Sequence, residues 1–260
     1  MAASQPWHLQ PAADVVAGQI SLGPVVSAGQ KPMPAIIAQL QAELNWDSYL
    51  PVQARNRGWR TGQQIKRALD IMIALPLLVL LSPLFLLVAL VIKLTSPGPV
   101  LYEFRVLGKR ARPIVAYKFR TMVVNADELK TSLQHHNEMC GPAFKMREDP
   151  RVTVVGRILR KYSIDELPQL WSVLVGDMSL VGPRPPFAEE FAEYKPWQWG
   201  KLAVTPGITC LWQVNGRSDI KDFDAWAALD MQYIRNWSLG LDARILLLTV
   251  PAVLRGRGAY

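Results

Sequence analysis

The stretch IMIALPLLVLLSPLFLLVALVI, residues 71–92, contains no charged side chain and decides the fold of this chain. As a helix rising about 1.5 Å per residue, it is long enough to cross a hydrocarbon core of roughly 30 Å. A buried core helix of a soluble protein is the alternative, but such a helix is rarely apolar on every face. The stretch therefore predicts a membrane-associated helix.

Basic residues flank this helix on both sides, with Lys66 and Arg67 before it and Lys93 after it. The positive-inside rule keeps both flanks on the same side of the membrane. Ser82 and Pro83 lie at the middle, where proline removes a backbone hydrogen bond and a serine hydroxyl can replace it. We expect a re-entrant helix broken at this Ser-Pro pair, although hydropathy alone does not distinguish it from a spanning helix.

Composition excludes several protein classes. Of 260 residues, 50% are hydrophobic and 19% charged, which excludes a disordered chain and a coiled-coil fibre. Two cysteines are too few for a disulfide scaffold. The net charge is +8, and residues 61–120 hold nine basic and two acidic side chains. A basic block around an apolar run is typical of contact with a membrane surface, so we expect no nucleic-acid partner.

Local patterns predict an α+β, largely helical fold in three parts. Residues 1–60 form a proline-rich, partly irregular extension with a short helix near 34–44, and residues 61–97 form the re-entrant membrane region. The remaining part, 98–260, is the expected cytosolic catalytic domain with an interfacial C-terminal helix. Its predicted strands are 100–104 and 114–119, and its predicted helices are 126–136, 155–160, 168–175, 187–194, 222–236 and 241–254.

An acidic doublet, Asp165-Glu166, is the densest chemical signal, in the stretch RKYSIDELPQ at 160–169. Either Pro168 begins the following helix, or Ser163 caps it with Glu166 closing a capping box. Both arrangements put the carboxylates near a helix N-terminus, which favours their ionised form. An ionised carboxylate can attack phosphorus or bind a divalent cation, whereas an ordinary acidic helix start is the alternative.

Two further motifs carry cations suited to phosphate. The stretch DMSLVGPRPP, 177–186, presents Arg184 on a loop stiffened by prolines, and the guanidinium fork matches phosphate oxygens. In KFRTM, 118–122, Lys118 and Arg120 share one side if the segment is a strand. The alternatives are a structural turn and a solvated strand edge.

Taken in order, these motifs resemble the bacterial sugar transferase family, the small monotopic phosphoglycosyl transferases. The resemblance begins near Lys66 and covers about three quarters of the chain. The matching stretches are KRALDIMIALPLLVLLSPLFLLVALVIKLTSPGPV (66–100), KFRTM (118–122), DPRVTVVGRILRKYSIDELPQLWSVLVGDMSLVGPRPP (149–186) and PGITCLWQVNGRSD (206–219).

The resemblance implies transfer of a sugar 1-phosphate from a UDP-sugar to a polyprenyl phosphate, with release of UMP. The site would be on the cytoplasmic face of a bacterial inner membrane, at the first membrane step of exopolysaccharide or glycoconjugate assembly. By analogy Asp165 is the nucleophile and Glu166 its partner, and the two carboxylates hold Mg²⁺. The cations expected to bind substrate are Lys118, Arg120, Arg160 and Arg184.

Other functions stay open on the sequence alone. A membrane-bound hydrolase of nucleotide sugars or lipid pyrophosphates would use the same acidic pair and metal. A non-catalytic membrane adaptor is a third class, against which the intact Asp165-Glu166 doublet argues. The oligomeric state is open, with a homodimer among the compatible arrangements.

Overall fold

The computed structural model describes residues 33–216 and 220–256. Helices dominate this part, and its strands form two two-stranded sheets, so the expected α+β, largely helical class is confirmed. The start of the expected extension (1–32), the end of the PGITCLWQVNGRSD motif (217–219) and residues 257–260 lie outside the described residues. The helices are α1 (Met33–Glu43), α2 (Arg57–Thr95), α3 (Ala126–Ser132), α4 (Val154–Lys161), α5 (Leu170–Val175), α6 (Ala188–Ala192), α7 (Leu211–Val214), α8 (Phe223–Arg235) and α9 (Leu239–Leu254), and the strands are β1 (Leu101–Leu107), β2 (Pro113–Phe119), β3 (Ser179–Val181) and β4 (Gly207–Thr209).

Most predicted elements are present, with different ends. The helix expected over 168–175 is a 3-10 helix, Ile164–Gln169, followed by α5. Pro168, which has no backbone N–H, is the fifth residue of this 3-10 helix rather than the first residue of an α-helix. The helix expected over 126–136 ends at Ser132 and gives way to a 3-10 turn, Gln134–His136.

Strands β1 and β2 form the antiparallel hairpin that the sequence predicts, with Leu101 opposite Phe119. Side chains alternate across the sheet, so Lys118 shares a face with the buried Ile114 and Ala116. Phe119 therefore points to the opposite face. This alternation directs the Lys118 side chain into the domain and leaves Phe119 to pack against α2.

Strands β3 and β4 form a short parallel pair in the interior, with Val181 opposite Thr209. The strands approach so closely that a Cβ on Gly207 would lie 2.0 Å from the backbone nitrogen of Gly182. Only glycine fits there. The pair fixes the start of the loop that carries Arg184.

The N-terminal half of α2 is fastened to the domain by polar contacts. Lys66 Nζ lies 2.7 Å from Asp242 Oδ2, and both side chains are about nine-tenths buried. The backbone nitrogen of Leu180, in β3, donates to Asp70 Oδ1 at 3.0 Å. These contacts join α2 to both α9 and β3.

The C-terminal half of α2 packs on the same domain through apolar side chains. Val88 and Ile92 form a buried cluster with Phe119 of β2 and Leu159 of α4. Both halves of α2 thus contact one domain. A helix crossing a bilayer at 71–92 would instead carry its two ends to opposite sides of the membrane.

The other face of α2 is apolar and exposed. Leu80 and Leu86 are each 73% exposed, and only 11% of the most apolar 18-residue stretch of α2 is buried. The alternative of a buried core helix is therefore wrong. Among the described residues, α2 is long and apolar enough to cross a membrane by length and composition. Its exposed apolar face is consistent with membrane association.

The helix is not interrupted at Ser82 and Pro83, where the sequence predicts a break. Helix α2 runs continuously through both residues, and Ser82 Oγ donates to the carbonyl of Val79 at 2.8 Å. The helical path therefore accommodates the proline within one element. A re-entrant path stays a prediction.

Helix α9 presents a second apolar surface, as the sequence predicts for the C-terminal segment. Ile245 is buried against the domain, while Leu247, Val250 and Leu254 are 74%, 58% and 70% exposed. A membrane-surface location for this helix also stays a prediction.

The contact between Lys66 and Asp242 gives a stability prediction. In Asp242→Ala, Lys66 loses its carboxylate partner while still buried, and we expect a loss of about 3–5 kcal/mol in the free energy of unfolding. Unfolding is measured in one detergent or nanodisc for all variants. The matched control is Asp47→Ala, which breaks the exposed 3.0 Å pair with Arg110 and should change stability little. Equal losses in the two variants would contradict this assignment.

Candidate active site

One cavity of about 410 Å³ collects the chemical groups that the sequence singles out. The predicted residues in its walls come from the end of β2, from α4, from the 3-10 helix Ile164–Gln169 and from the loop after β3. The structure thus brings together residues from four separate segments. All six predicted catalytic or substrate-binding residues line it: Lys118, Arg120, Arg160, Asp165, Glu166 and Arg184.

Asp165 lies in the first turn of the 3-10 helix and is only 7% exposed. Burial raises the pKa of its carboxyl, while the positive charges of Lys118 and Arg160 act to lower it. The sequence argument from a helix dipole therefore omitted the larger effect, which is desolvation. The carboxylate is held among cations in a poorly solvated place.

The backbone before the acidic doublet is unusual. Ser163 has φ 52° and ψ 24°, the left-handed region that non-glycine residues seldom occupy. Its side chain makes no capping hydrogen bond, and the α-helix begins only at Leu170. Both predicted capping arrangements are therefore wrong, because Pro168 falls at the fifth residue of a 3-10 helix rather than at the start of an α-helix.

Lys118 and Arg160 supply positive charge beside Asp165. The Lys118 ammonium lies 5.3 Å from the ring centre of Tyr102 and 5.2 Å from that of Phe104. Burial lowers the pKa of Lys118, and the nearby Arg160 lowers it further. Both cations sit close enough to the acidic doublet to contribute to its electrostatics.

Arg160 is positioned by close packing of α4 on the end of β2. A Cβ on Gly156 would lie 2.0 Å from the carbonyl oxygen of Thr121, so α4 can approach this closely only with glycine there. Thr153 Oγ1 caps the helix by accepting from the Gly156 nitrogen at 2.9 Å. One turn later, Arg160 Nε donates to Thr121 Oγ1 at 2.9 Å.

Arg184 is held by a carboxylate that the sequence analysis did not identify. Its two terminal nitrogens donate to Glu190 at 2.8 and 3.2 Å, a bidentate pair. Burial alone would lower the pKa of Arg184, but Glu190 raises it. The side chain is 29% exposed, so one edge of the guanidinium stays accessible from the cavity.

Arg120 lines the cavity as well, but most of its hydrogen-bond donors already have partners within the protein. It follows the last residue of β2, and its guanidinium donates to Ser96 Oγ and to the carbonyl oxygens of Ser96, Pro97 and Pro99 at 2.6–2.9 Å. Four of its five N–H donors are thereby committed to the turn after α2. These contacts join the C-terminal end of α2 to the hairpin, and substrate binding by Arg120 stays a prediction.

The sequence analysis also missed a buried pair beside the cavity. Arg151 donates to both oxygens of Asp149, at 2.9 and 2.6 Å for the closest contacts, and to the carbonyl of Ala126. The sequence feature that corresponds to this pair is the DPR triplet, 149–151, in which an acidic and a basic side chain lie two residues apart. A second missed feature is an aromatic wall, where the rings of Trp212 and Trp226 stack at 4.2 Å.

A divalent metal has two adjacent carboxylates available here. Among the residues that the structure describes, no group of three or more His, Cys, Asp or Glu side chains is arranged to hold a metal ion. Mg²⁺ usually takes one or two carboxylates and completes its shell with water and substrate phosphates. Asp165 and Glu166 fit that mode, and an all-protein cage is not present in this part of the chain.

A family model and several known proteins are similar to most of this chain. A family model described as bacterial sugar transferase matches residues 61–256. The galactosyl transferase CpsE of Streptococcus agalactiae is 49% identical over 162 residues, which are 62% of this chain and 36% of that protein. The exopolysaccharide production protein ExoY of Sinorhizobium fredii is 42% identical over 199 residues, 75% of this chain and 88% of ExoY.

A third relative extends the comparison. The undecaprenyl-phosphate galactose phosphotransferase of Salmonella typhimurium is 41% identical over 210 residues, 79% of this chain and 44% of that protein. The chain therefore spans most of ExoY but less than half of the other two relatives.

The electrostatics of Asp165 can be measured directly. We expect its carboxyl to titrate above about 3.9, the ordinary aspartate pKa, because burial raises it. In Lys118→Met the pKa should rise further, since a charge that favours the carboxylate is removed. Carbon-13 NMR of labelled aspartate follows the titration. Lys93→Met, outside the cavity, is the control, and an unchanged pKa in Lys118→Met would contradict the assignment.

Proposed function

Because the chain belongs to the bacterial sugar transferase family, we propose that it transfers a sugar 1-phosphate from a UDP-sugar to a polyprenyl phosphate and releases UMP. The observation that carries the proposal is the buried carboxylate of Asp165, which faces Lys118 and Arg160 within one cavity. The printed name of the Salmonella relative specifies undecaprenyl phosphate as its lipid.

The first step is attack by a carboxylate oxygen of Asp165 on the β-phosphorus of the donor. A bond forms between that oxygen and phosphorus, the bond from phosphorus to the UMP oxygen breaks, and UMP leaves with the electron pair. The protein then carries an aspartyl phosphosugar. In the second step a phosphate oxygen of the lipid acceptor attacks the same phosphorus, and the Asp165 carboxylate is the leaving group.

Cations around the doublet make these steps possible between anions. A carboxylate approaching a diphosphate meets strong repulsion, which fixed positive charges in a poorly solvated cavity offset. Lys118 and Arg160 lie beside Asp165, and Arg184 reaches the cavity on its rigid loop. Held in place before substrate arrives, these side chains need little reorganisation in the transition state.

Glu166 is the partner carboxylate in this proposal. With Asp165 it would hold Mg²⁺, which when bound neutralises charge on the diphosphate. Glu166 would also accept or return a proton beside Asp165.

The membrane arrangement follows from the packing of α2. Its two halves contact the same domain, through Asp70 in one half and Ile92 in the other. We propose that α2 enters and leaves the membrane on one side, with Ser82 and Pro83 at its deepest point. The basic residues of 61–120 favour the cytoplasmic face of the inner membrane, where UDP-sugars are available.

Removing the nucleophile tests the covalent step. Asp165→Asn keeps the shape of the side chain but replaces the nucleophilic carboxylate with a neutral amide. The rate of UMP release should therefore fall by about a thousandfold or more. Labelled sugar phosphate should no longer be trapped on the protein. Glu128→Gln, an exposed acidic position on α3, is the matched control. Normal trapping in Asp165→Asn would show that another residue is the nucleophile.

The acceptor separates a transferase from a hydrolase. We expect Mg²⁺-dependent UMP release from a panel of UDP-sugars without acceptor, limited to about one turnover. Undecaprenyl phosphate should convert it to continuous turnover, and a chelator should stop it. Release of free sugar phosphate into water at a rate that ignores the acceptor would favour the hydrolase instead.

A further inference from the structure

A second, smaller cavity lies against the first. Its volume is about 140 Å³, and it is bounded by the 3-10 helix Ile164–Gln169 on one side and by α9 on the other. Ser163, Glu166 and Gln213 line both cavities. These three side chains therefore form the partition between the two spaces, and the partition includes one carboxylate of the acidic doublet.

The walls of the second cavity suit hydrocarbon. Leu167, Ile208 and Val253 contribute apolar surface. The two threonine hydroxyls in its lining satisfy each other, because Thr209 Oγ1 and Thr249 Oγ1 lie 2.7 Å apart, and Thr249 also donates to the carbonyl of Ile245. These hydroxyls therefore need no polar ligand.

One wall of this cavity belongs to an element with an exposed apolar face. Helix α9 lines the cavity with Thr249, Ala252 and Val253, and its opposite surface exposes Leu247 and Val250. If that surface meets lipid, the second cavity lies between the lipid and Glu166.

We propose that the second cavity binds the first isoprenoid unit of the polyprenyl phosphate acceptor, with the acceptor phosphate at the partition beside Glu166. The inference rests on the proposed function and adds the location of the acceptor. Its volume is close to the ~150 Å³ of an engineered apolar cavity that binds benzene, so a five-carbon unit fits. A nucleoside diphosphate sugar is too large and too polar for it, and the main cavity accommodates that substrate.

Filling the cavity tests the proposal. Ala252→Phe adds a ring on the cavity side of α9, and we expect the KM for undecaprenyl phosphate to rise about tenfold or more, as expected when two buried methylene contacts are lost. UMP release without acceptor should stay within about twofold of the unchanged protein. The matched control is Val250→Phe, which adds the same ring on the exposed side of the same helix.

Each outcome decides the matter. A normal acceptor KM in Ala252→Phe overturns the proposal, as does an equal rise in Val250→Phe. A smaller filling variant, Ala252→Leu, guards against misfolding. If both filling variants lose acceptor-free UMP release, the cavity serves the donor step and the acceptor assignment is overturned. Absence of UMP release in the unchanged protein would instead contradict the proposed function, so the two failures are distinct.

Discussion

The burial of one carboxylate among cations is the constraint on which the rest of this structure depends. An ionised group taken out of water is costly unless opposite charges surround it, and Asp165 is nearly fully buried. Lys118 comes from the hairpin and Arg160 from α4, so distant segments must meet at one point. The Gly156 contact with Thr121 is the close approach that lets them meet.

Hydrogen bonds also join the segments that carry the cavity to α2, the long apolar helix. Arg120, which directly follows Phe119, donates to the turn at the C-terminal end of α2. At the other end Asp70 accepts from Leu180, four residues before Arg184. Helix α2 is thereby tied to the end of β2 and to β3, the strand that precedes the Arg184 loop. The site is held at a fixed position relative to the apolar face of α2, which the proposed reaction between a water-soluble donor and a lipid would require.

Local signals were enough for much of the fold. The uncharged run at 71–92 identified α2, and period-two alternation identified the hairpin, because both patterns depend on neighbouring residues alone. The 3-10 geometry at Ile164–Gln169 was not predicted, since propensity rules treat Pro168 as the start of an α-helix rather than as part of a tighter turn. Continuity of α2 through Pro83 was also missed, because packing along both halves of the helix is not visible in a local pattern.

An acidic doublet, several cations in ordered motifs and one apolar helix flanked by basic residues are all evident from the order of the amino acids. The contacts that each cation makes became evident only in the folded chain. Arg120 and Arg160 both line the cavity, yet Arg120 donates mainly to backbone carbonyls after α2, whereas Arg160 lies beside Asp165. The physical reason is that desolvation and hydrogen-bond partners are properties of the whole packed chain: Glu190 as the partner of Arg184, and the partition at Glu166, exist only once distant segments are in contact.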